Sequence, residues 1–205
     1  MRLMVIRVLV LCLTLNLALA VSGVRAEGPT ETVKGVVDEV IRILKDPSLK
    51  AQKKLRRDRV KQTVDRRFDY EEMARRSLGR NWRSLSAGQR AEFVRIFGEL
   101  LEASYSDKIM NYSGEKVQYD KAVMDGPDYA EVRTVLLRKN DRIPMNYRMI
   151  LKPQGWMVYD VVIEGVSLVS NYRSQFNRVI RESSYNELVR RLRVKIKELQ
   201  RTKNI

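Results

Sequence analysis

The sequence contains no histidine and a single cysteine, Cys12, among its 205 residues. Without an imidazole, the chain cannot form a Ser-His-Asp or Cys-His catalytic system, and the usual zinc sites are excluded as well. Its glycines at Gly114, Gly126, Gly155 and Gly165 stand alone at predicted turns and do not form a phosphate-binding loop. We therefore expect neither a metal nor a cofactor.

One kind of enzyme chemistry remains open. A carboxylate and a phenol in an apolar cavity, for instance Asp160 and Tyr147, could act as base and oxyanion donor. The alternative is that Asp160 is a structural strand residue, held by a hydrogen bond or an arginine. We favour this alternative and expect no catalytic residue.

The first 26 residues are typical of a secretory signal peptide. Arg2 and Arg7 flank the start of an uncharged apolar run that ends at Ala20. This run is shorter than the roughly 20 residues that span a bilayer. Cleavage is expected after Ala20 or, preferably, after Ala26, with export to the periplasm. The only cysteine lies inside this peptide, so the mature chain has no disulfide framework.

The positive charge is concentrated in two segments of the mature chain, residues 27–205, which we expect to form one domain. Residues 45–67 contain ten basic and three acidic side chains, and residues 178–203 contain nine and three. An exported protein rarely meets nucleic acid, so anionic membrane surfaces or acidic partner proteins are the expected targets. The alternative is that both segments are solvated helix faces.

Apolar periodicity and capping residues predict helices at both ends of the chain. Residues 30–44 form an amphipathic pattern that stops at Asp46-Pro47, and the basic stretch 49–64 should lie on the outside. A short helix is expected from Asp69 to Gly79. Ser86 and Gln89 form a capping-box pattern ahead of the strongest helix. Two further helices are expected to begin at Ser167 and Ser184.

Between these helices, four β-rich runs are separated by short turn sequences. They are Lys116–Met124, Tyr129–Lys139, Ile143–Leu151 and Trp156–Ile163. Connections this short predict an antiparallel meander. In the third run Met145, Tyr147 and Met149 alternate with Asn146 and Arg148, so one face of the sheet should be covered. We therefore predict an α+β fold, with a four-stranded antiparallel sheet between N- and C-terminal helices.

Three long stretches resemble the MlaC family, the periplasmic phospholipid-binding proteins of the Mla ABC transport system, also called toluene-tolerance proteins. The first is GWMVYDVVIEGVSLVSNYRSQF, Gly155–Phe176. The second is LGRNWRSLSAGQRAEFVRIFGELLEASYSDKI, Leu78–Ile109, and the third is IPMNYRM, Ile143–Met149. The resemblance spans nearly the whole mature chain.

This resemblance implies a cone similar to nuclear transport factors, with a deep apolar cavity for the acyl chains of a phospholipid and the headgroup near solvent. Such proteins shuttle lipid between an outer-membrane complex containing the lipoprotein MlaA and an inner-membrane MCE-domain protein, MlaD. They maintain outer-membrane lipid asymmetry without catalysis. Two alternatives stay open: the cargo is a hopanoid or another apolar lipid, or the protein is an adaptor with a filled core.

Cavity-lining candidates are apolar residues on the covered face of the sheet or on helices that face it. They are Trp82, Phe97, Leu101, Tyr105, Ile109, Val132, Tyr147, Met149, Val158, Val166, Val169 and Tyr172. The alternative for each is an ordinary core residue. Arg148 and Arg173 are candidates for the mouth, where a guanidinium could pair with phosphate. For both, the alternative is a structural ion pair with Asp160 or Glu164.

Overall fold

A computed structural model describes residues 27–202, so the predicted signal peptide lies outside the described residues. The helices are α1 (Pro29–Lys45), α2 (Lys53–Asp65), α3 (Tyr70–Leu78), α4 (Ala87–Met110), α5 (Leu168–Glu182) and α6 (Tyr185–Thr202). The strands are β1 (Lys116–Tyr119), β2 (Val123–Met124), β3 (Tyr129–Arg138), β4 (Asp141–Lys152), β5 (Gly155–Ile163) and β6 (Val166–Ser167). The predicted α+β fold is confirmed.

The helices begin where the capping residues predicted. At the start of α4, the Ser86 hydroxyl accepts from the Gln89 amide at 3.2 Å, and the Gln89 side chain accepts from the Ser86 amide at 2.9 Å. Asp69 caps α3 through the Glu72 amide at 2.9 Å, and Ser167 caps α5. These bonds satisfy amides that a helix start leaves without intrahelical partners.

The basic stretch after α1 is exposed through its charged side chains but not through all of its apolar ones. Leu49, in a single 3-10 turn, is 2% exposed, and Val60 of α2 is 5% exposed. Both pack against Ile43 of α1 in a small cluster. The prediction of an external segment was therefore wrong for these two side chains, because the 3-10 turn and α2 each bury an apolar side chain against α1.

The sheet is antiparallel throughout, with the order β1-β3-β4-β5-β6 and β2 beside β3. It contains six strands where four were predicted. The run Lys116–Met124 divides into β1 and β2, which pair with different parts of β3.

The second additional strand, β6, arises from a tight turn that was predicted only as a strand end. Glu164 and Gly165 both have positive φ, 50° and 80°. Positive φ at both central residues is what a two-residue hairpin of type I′ requires. The chain therefore reverses, and Val166 pairs with Ile163.

The β4–β5 ladder contains a bulge. Arg148 pairs with Asp160 and Met149 pairs with Val158, so Tyr159 is an extra residue in β5. The Tyr159 ring lies 6.0 Å from that of Tyr129 on β3, in an edge-to-face arrangement. Both Tyr159 and Asp160 therefore lie on the same face of the sheet.

The two faces of the sheet differ in chemistry. We call the face carrying Ala130, Val132, Tyr147, Met149 and Val158 the apolar face; it packs against Val33 of α1. We call the opposite face the polar face; it carries Glu131, Arg133, Asn146, Arg148 and Asp160. A second, larger core is built by α3, α4, α5 and α6. Phe68 contacts both cores.

None of the helices within residues 27–202 is both long enough and apolar enough to cross a bilayer. The longest, α4, instead buries Phe93, Phe97 and Leu100 in the helical core.

Glu72 gives a testable contribution to the stability of this fold. The residue is 6% exposed, and its carboxylate accepts from Arg75 Nε at 2.7 Å and from Arg76 Nε at 2.6 Å. Burial raises the pKa of Glu72, but hydrogen bonds from the two arginines outweigh it and lower the pKa below its ordinary value. A lowered pKa stabilises the folded state above the ordinary carboxyl pKa, and the stabilisation is lost as pH falls through the folded-state value.

We expect Glu72→Gln to lower the free energy of unfolding by about 1–2 kcal/mol at neutral pH, below the roughly 1.5–3 kcal/mol of hydrogen bonds to a charged group because Arg75 and Arg76 are partly exposed. The difference from the parent should shrink below roughly pH 4, where the carboxyl of the parent also becomes protonated. Urea unfolding at neutral and acidic pH measures both. Glu71→Gln, exposed in the same helical turn, is the control and should change stability by less than about 0.5 kcal/mol. Equal effects of the two substitutions at neutral pH would contradict this role of Glu72.

Candidate functional site

An apolar layer lies between the apolar face of the sheet and α1. We define it by seven buried residues, namely Val33, Ala130, Val132, Met149, Trp156, Val158 and Val161. Partly buried neighbours include Val37 of α1, Tyr119 of β1, and Met145 and Tyr147 of β4. The alternation of β3 and β4 aims every second side chain into this layer, which is why it is so uniformly apolar.

Two tyrosine hydroxyls lie in the apolar layer with few partners. The Tyr119 hydroxyl is buried and has no hydrogen-bond partner among the described residues. The Tyr147 hydroxyl donates to the Met145 sulfur at 3.1 Å, and a thioether is a weak acceptor. Buried phenols usually find an oxygen or nitrogen partner. The layer thus presents two donors that a bound molecule with acceptor oxygens could satisfy.

Burial keeps these phenols protonated. It raises the pKa of Tyr147 to about 12. Burial also raises the pKa of Tyr119, and the Asp38 carboxylate of α1 adds to that effect. Both groups therefore act as neutral hydrogen-bond donors at physiological pH.

Four of the twelve lining candidates meet in the apolar layer. Val132 and Met149 are fully buried, Val158 is 2% exposed, and Tyr147 is partly buried beside them. All four lie on adjacent strands, where Val132 is paired with Tyr147 and Met149 with Val158.

Six other candidates lie in the helical core: Trp82, Phe97, Leu101, Tyr105, Val169 and Tyr172. Phe97 is fully buried, with edge-to-face contacts to Tyr172 at 5.3 Å and Phe176 at 5.7 Å. Tyr105 interacts with Tyr172, and burial together with that neighbour raises the pKa of Tyr105 to about 12. Ile109 lies in the small cluster of α1, α2 and α4. The structure thus divides these residues among separate clusters.

Val166 does not lie in the interior, so the prediction that it is a cavity-lining residue was wrong. Its side chain is 57% exposed, because the tight turn at Glu164-Gly165 places it on the edge strand β6.

Arg148 and Asp160 form the structural ion pair that was the alternative to a role at the mouth. Their Nη1 and Oδ2 atoms are 3.3 Å apart. Asp160 also accepts from the Ser167 hydroxyl at 2.6 Å and from the Val169 amide at 3.0 Å. The carboxylate is 2% exposed and saturated with donors, which fits a structural role.

The pairing of Asp160 with Tyr147 as base and oxyanion donor has no geometric support. Asp160 lies on the polar face with Arg148, while Tyr147 lies in the apolar layer on the other side of the sheet. Within the described residues, no group of three or more histidine, cysteine or carboxylate side chains is arranged to hold a metal ion.

Arg173 lies on α5 against the end of α3. A Cβ atom at Gly79, whose φ is +55°, would come within 3.0 Å of the Arg173 Nε. Like Arg148, Arg173 borders an open groove on the polar face of the sheet rather than the apolar layer.

Tyr119 was absent from the sequence-based candidates. Strand alternation in Lys116–Tyr119 was the available signal, since Val117 and Tyr119 are the less exposed residues of β1. Nothing in the sequence shows that its hydroxyl lacks a partner, because that depends on the packing of α1.

Comparison with known proteins places the chain in a family. The sequence model of the MlaC protein family matches residues 34–194. The intermembrane phospholipid transport system binding protein MlaC of Haemophilus influenzae is 28% identical over 120 residues, which are 56% of this chain and 56% of that protein. A phospholipid-binding protein from Ralstonia solanacearum, solved in complex with a phospholipid, matches with a TM-score of 0.75 and 28% identity, covering 83% of this chain and 98% of that one. The chain belongs to the MlaC family.

Proposed function

We propose that this protein is a phospholipid carrier that holds the acyl chains in the apolar layer between the sheet and α1. The main support is the similarity in fold and sequence to the Ralstonia solanacearum protein solved with a phospholipid. The layer adds independent support, because it combines apolar side chains from three strands with two under-bonded phenols.

The energetics of acyl chains explain why a carrier needs such a layer. Two chains contain about 30 methylenes, and exposing them to water would cost roughly 24 kcal/mol at about 0.8 kcal/mol each. In a bilayer the chains are already dry, so moving them into an apolar layer changes their free energy little. The carrier therefore makes exchange feasible, while the direction of transport has to come from another energy source.

The phenols of Tyr119 and Tyr147 are suited to the ester region of the lipid. Ester carbonyl oxygens are hydrogen-bond acceptors that lie between the acyl chains and the headgroup. A lipid with its chains beside Met149 and Val158 would bring such oxygens into the same layer as the two hydroxyls. Satisfying a buried donor that otherwise has no partner favours the bound state.

The route we propose runs through the periplasm, between an outer-membrane complex of the MlaA type and an inner-membrane MCE-domain protein of the MlaD type. The basic segments 45–67 and 178–203 would steer this docking toward acidic partners or anionic membrane surfaces. Charge of this kind raises the association rate but cannot drive lipid uphill.

Native mass spectrometry of the protein purified from its own host tests the cargo. We expect an added mass equal to that of a phospholipid, confirmed by solvent extraction and fragmentation. A mass matching a hopanoid would replace the phospholipid as cargo. Protein that stays ligand-free even after incubation with phospholipid vesicles would contradict the carrier function.

The unpartnered hydroxyl of Tyr119 predicts effects of opposite sign on stability and binding. Tyr119→Phe removes a buried donor that has no partner, so the lipid-free protein should be equally stable or up to about 1 kcal/mol more stable. Phospholipid affinity should fall by about 1 kcal/mol, or roughly fivefold, because one hydrogen bond to the lipid is lost. Chemical unfolding and vesicle-exchange titration measure the two quantities.

Tyr112→Phe is the matched control, because the Tyr112 hydroxyl donates to the Glu115 carbonyl at 3.0 Å, outside the apolar layer. It should lose up to about 1 kcal/mol of stability and leave lipid affinity unchanged. If Tyr119→Phe destabilised the empty protein without weakening lipid binding, Tyr119 would be a core residue and no part of the site.

Docking through the first basic segment predicts slower lipid transfer when its charge is reduced. Lys50→Ala together with Lys53→Ala should slow transfer to the membrane-embedded acceptor complex at low salt, with the effect fading near physiological salt as screening grows. Lipid binding itself should not change. The control, Lys121→Ala with Lys139→Ala, removes the same charge elsewhere. Equal transfer rates for both double variants at low salt would refute steering by this segment.

A further inference from the structure

A groove of about 780 Å³ lies along the polar face of the sheet, on the side opposite the apolar layer. The end of α3, the following 3-10 turn Gly79–Ser84 and the start of α5 form its other wall. Seven arginines and three carboxylates line it. All seven arginines lie outside the two basic segments 45–67 and 178–203, so the fold creates this cationic surface.

Four of the seven arginines have carboxylate partners within the protein. Arg75 and Arg76 pair with Glu72, and Arg133 and Arg148 pair with Glu131. Of the three lining carboxylates, Glu131 and Asp160 are therefore engaged with arginines of the groove itself.

The remaining three, Arg80, Arg83 and Arg173, are exposed, and no carboxylate of residues 27–202 lies within ion-pair distance of them. They come from two elements, the 3-10 turn and α5, and line the same groove. The Arg173 Nε lies where it would be only 3.0 Å from a Cβ at position 79, so the glycine leaves room for the Arg173 guanidinium against the end of α3. Three exposed guanidiniums that line one groove and have no carboxylate partner among the described residues suit an external anionic ligand.

The rest of the lining distinguishes a polypeptide ligand from a small anion. The Tyr129 and Tyr159 rings form an edge-to-face pair, and the Arg76 guanidinium lies 4.1 Å from the centroid of Tyr159. Trp82 and the 45% exposed Val123 also line the groove. Arginine, tyrosine and tryptophan are the residues most enriched at energetic centres of protein interfaces. A free phosphate would contact the guanidiniums alone and would leave the aromatic and aliphatic surface unused.

We propose that this groove binds an acidic segment of a partner protein. Carboxylates of the segment pair with Arg80, Arg83 and Arg173, and an apolar side chain packs on Val123. The site shares Ala130 with the apolar layer but otherwise lies on the opposite face, since Arg148 points into the groove while its neighbours Tyr147 and Met149 point to the other face. Partner binding and lipid binding can therefore be tested independently.

The experiment uses a fluorescein-labelled synthetic peptide in which glutamates alternate with leucines, and measures its dissociation constant by fluorescence anisotropy at low salt. The triple variant Arg80→Ala, Arg83→Ala and Arg173→Ala should bind this peptide about tenfold or more weakly, because three charge-assisted contacts are lost. The control variant Lys195→Ala, Lys197→Ala and Arg201→Ala removes the same charge from the exposed side of α6. It should stay within about twofold of the parent, since only long-range attraction changes.

A second variant separates guanidinium geometry from charge. Replacing Arg80, Arg83 and Arg173 by lysine keeps the charge but removes the planar guanidinium that binds a carboxylate through two hydrogen bonds. The affinity for the peptide should therefore fall several-fold, to a value between those of the parent and the alanine variant. Native mass spectrometry should show the parent's lipid content in all three variants, because these side chains lie outside the apolar layer. Circular dichroism checks that each variant is folded.

Three results would overturn the proposal. The first is peptide affinity equally reduced in the groove and control variants, which would indicate net charge alone. The second is millimolar inorganic phosphate displacing the peptide fully, which would assign the groove to a small anion. The third is binding to phosphatidylglycerol vesicles that depends on the three arginines while peptide binding does not, which would assign it to a lipid surface. None of these outcomes bears on whether the apolar layer carries lipid.

Discussion

The buried carboxylate of Asp160 links the sheet to the start of α5. It receives the Arg148 guanidinium of β4, the Ser167 hydroxyl and the first turn of α5 through the Val169 amide. A charge 2% exposed to solvent is tolerated only when donors replace its water, and here the donors come from both the sheet and the helical core. Together with the packing of Phe176 in the helical core, this group fixes the start of α5 and with it one wall of the arginine-lined groove.

Strand alternation gives the two faces of the sheet different chemistry. Along β4, Tyr147 and Met149 point to α1, whereas Asn146 and Arg148 point to the groove. The strands β3, β4 and β5 therefore present apolar side chains on one face of the sheet and charged side chains on the other. In the proposed function, cargo and partner would occupy opposite faces without competing for the same side chains.

Local signals in the sequence predicted the helices well, because a cap such as Ser86 with Gln89 is decided within four residues. Alternation in β4 correctly separated Tyr147 from Arg148. Three features could not be derived in this way. The formation of β6 requires positive φ at Glu164, which is not a glycine. The extra residue in β5 cannot be recognised from the alternation of apolar and polar residues. The apolar stripe of α4 looks equally suited to a cavity wall and to a core, and only the packing of Phe97 against Phe176 assigns it to the helical core.

The extra residue in β5 also decides which chemistry the interior can host. In an unbroken ladder continuing from the Met149–Val158 pair, position 160 would stand opposite Tyr147 and aim its carboxylate at α1. The extra residue Tyr159 changes the alternation of side chains in β5 by one position. The Asp160 carboxyl group therefore points to the polar face of the sheet. In the proposed function, a hydrocarbon guest in the apolar layer would then meet the neutral phenols of Tyr119 and Tyr147 rather than the Asp160 carboxyl group.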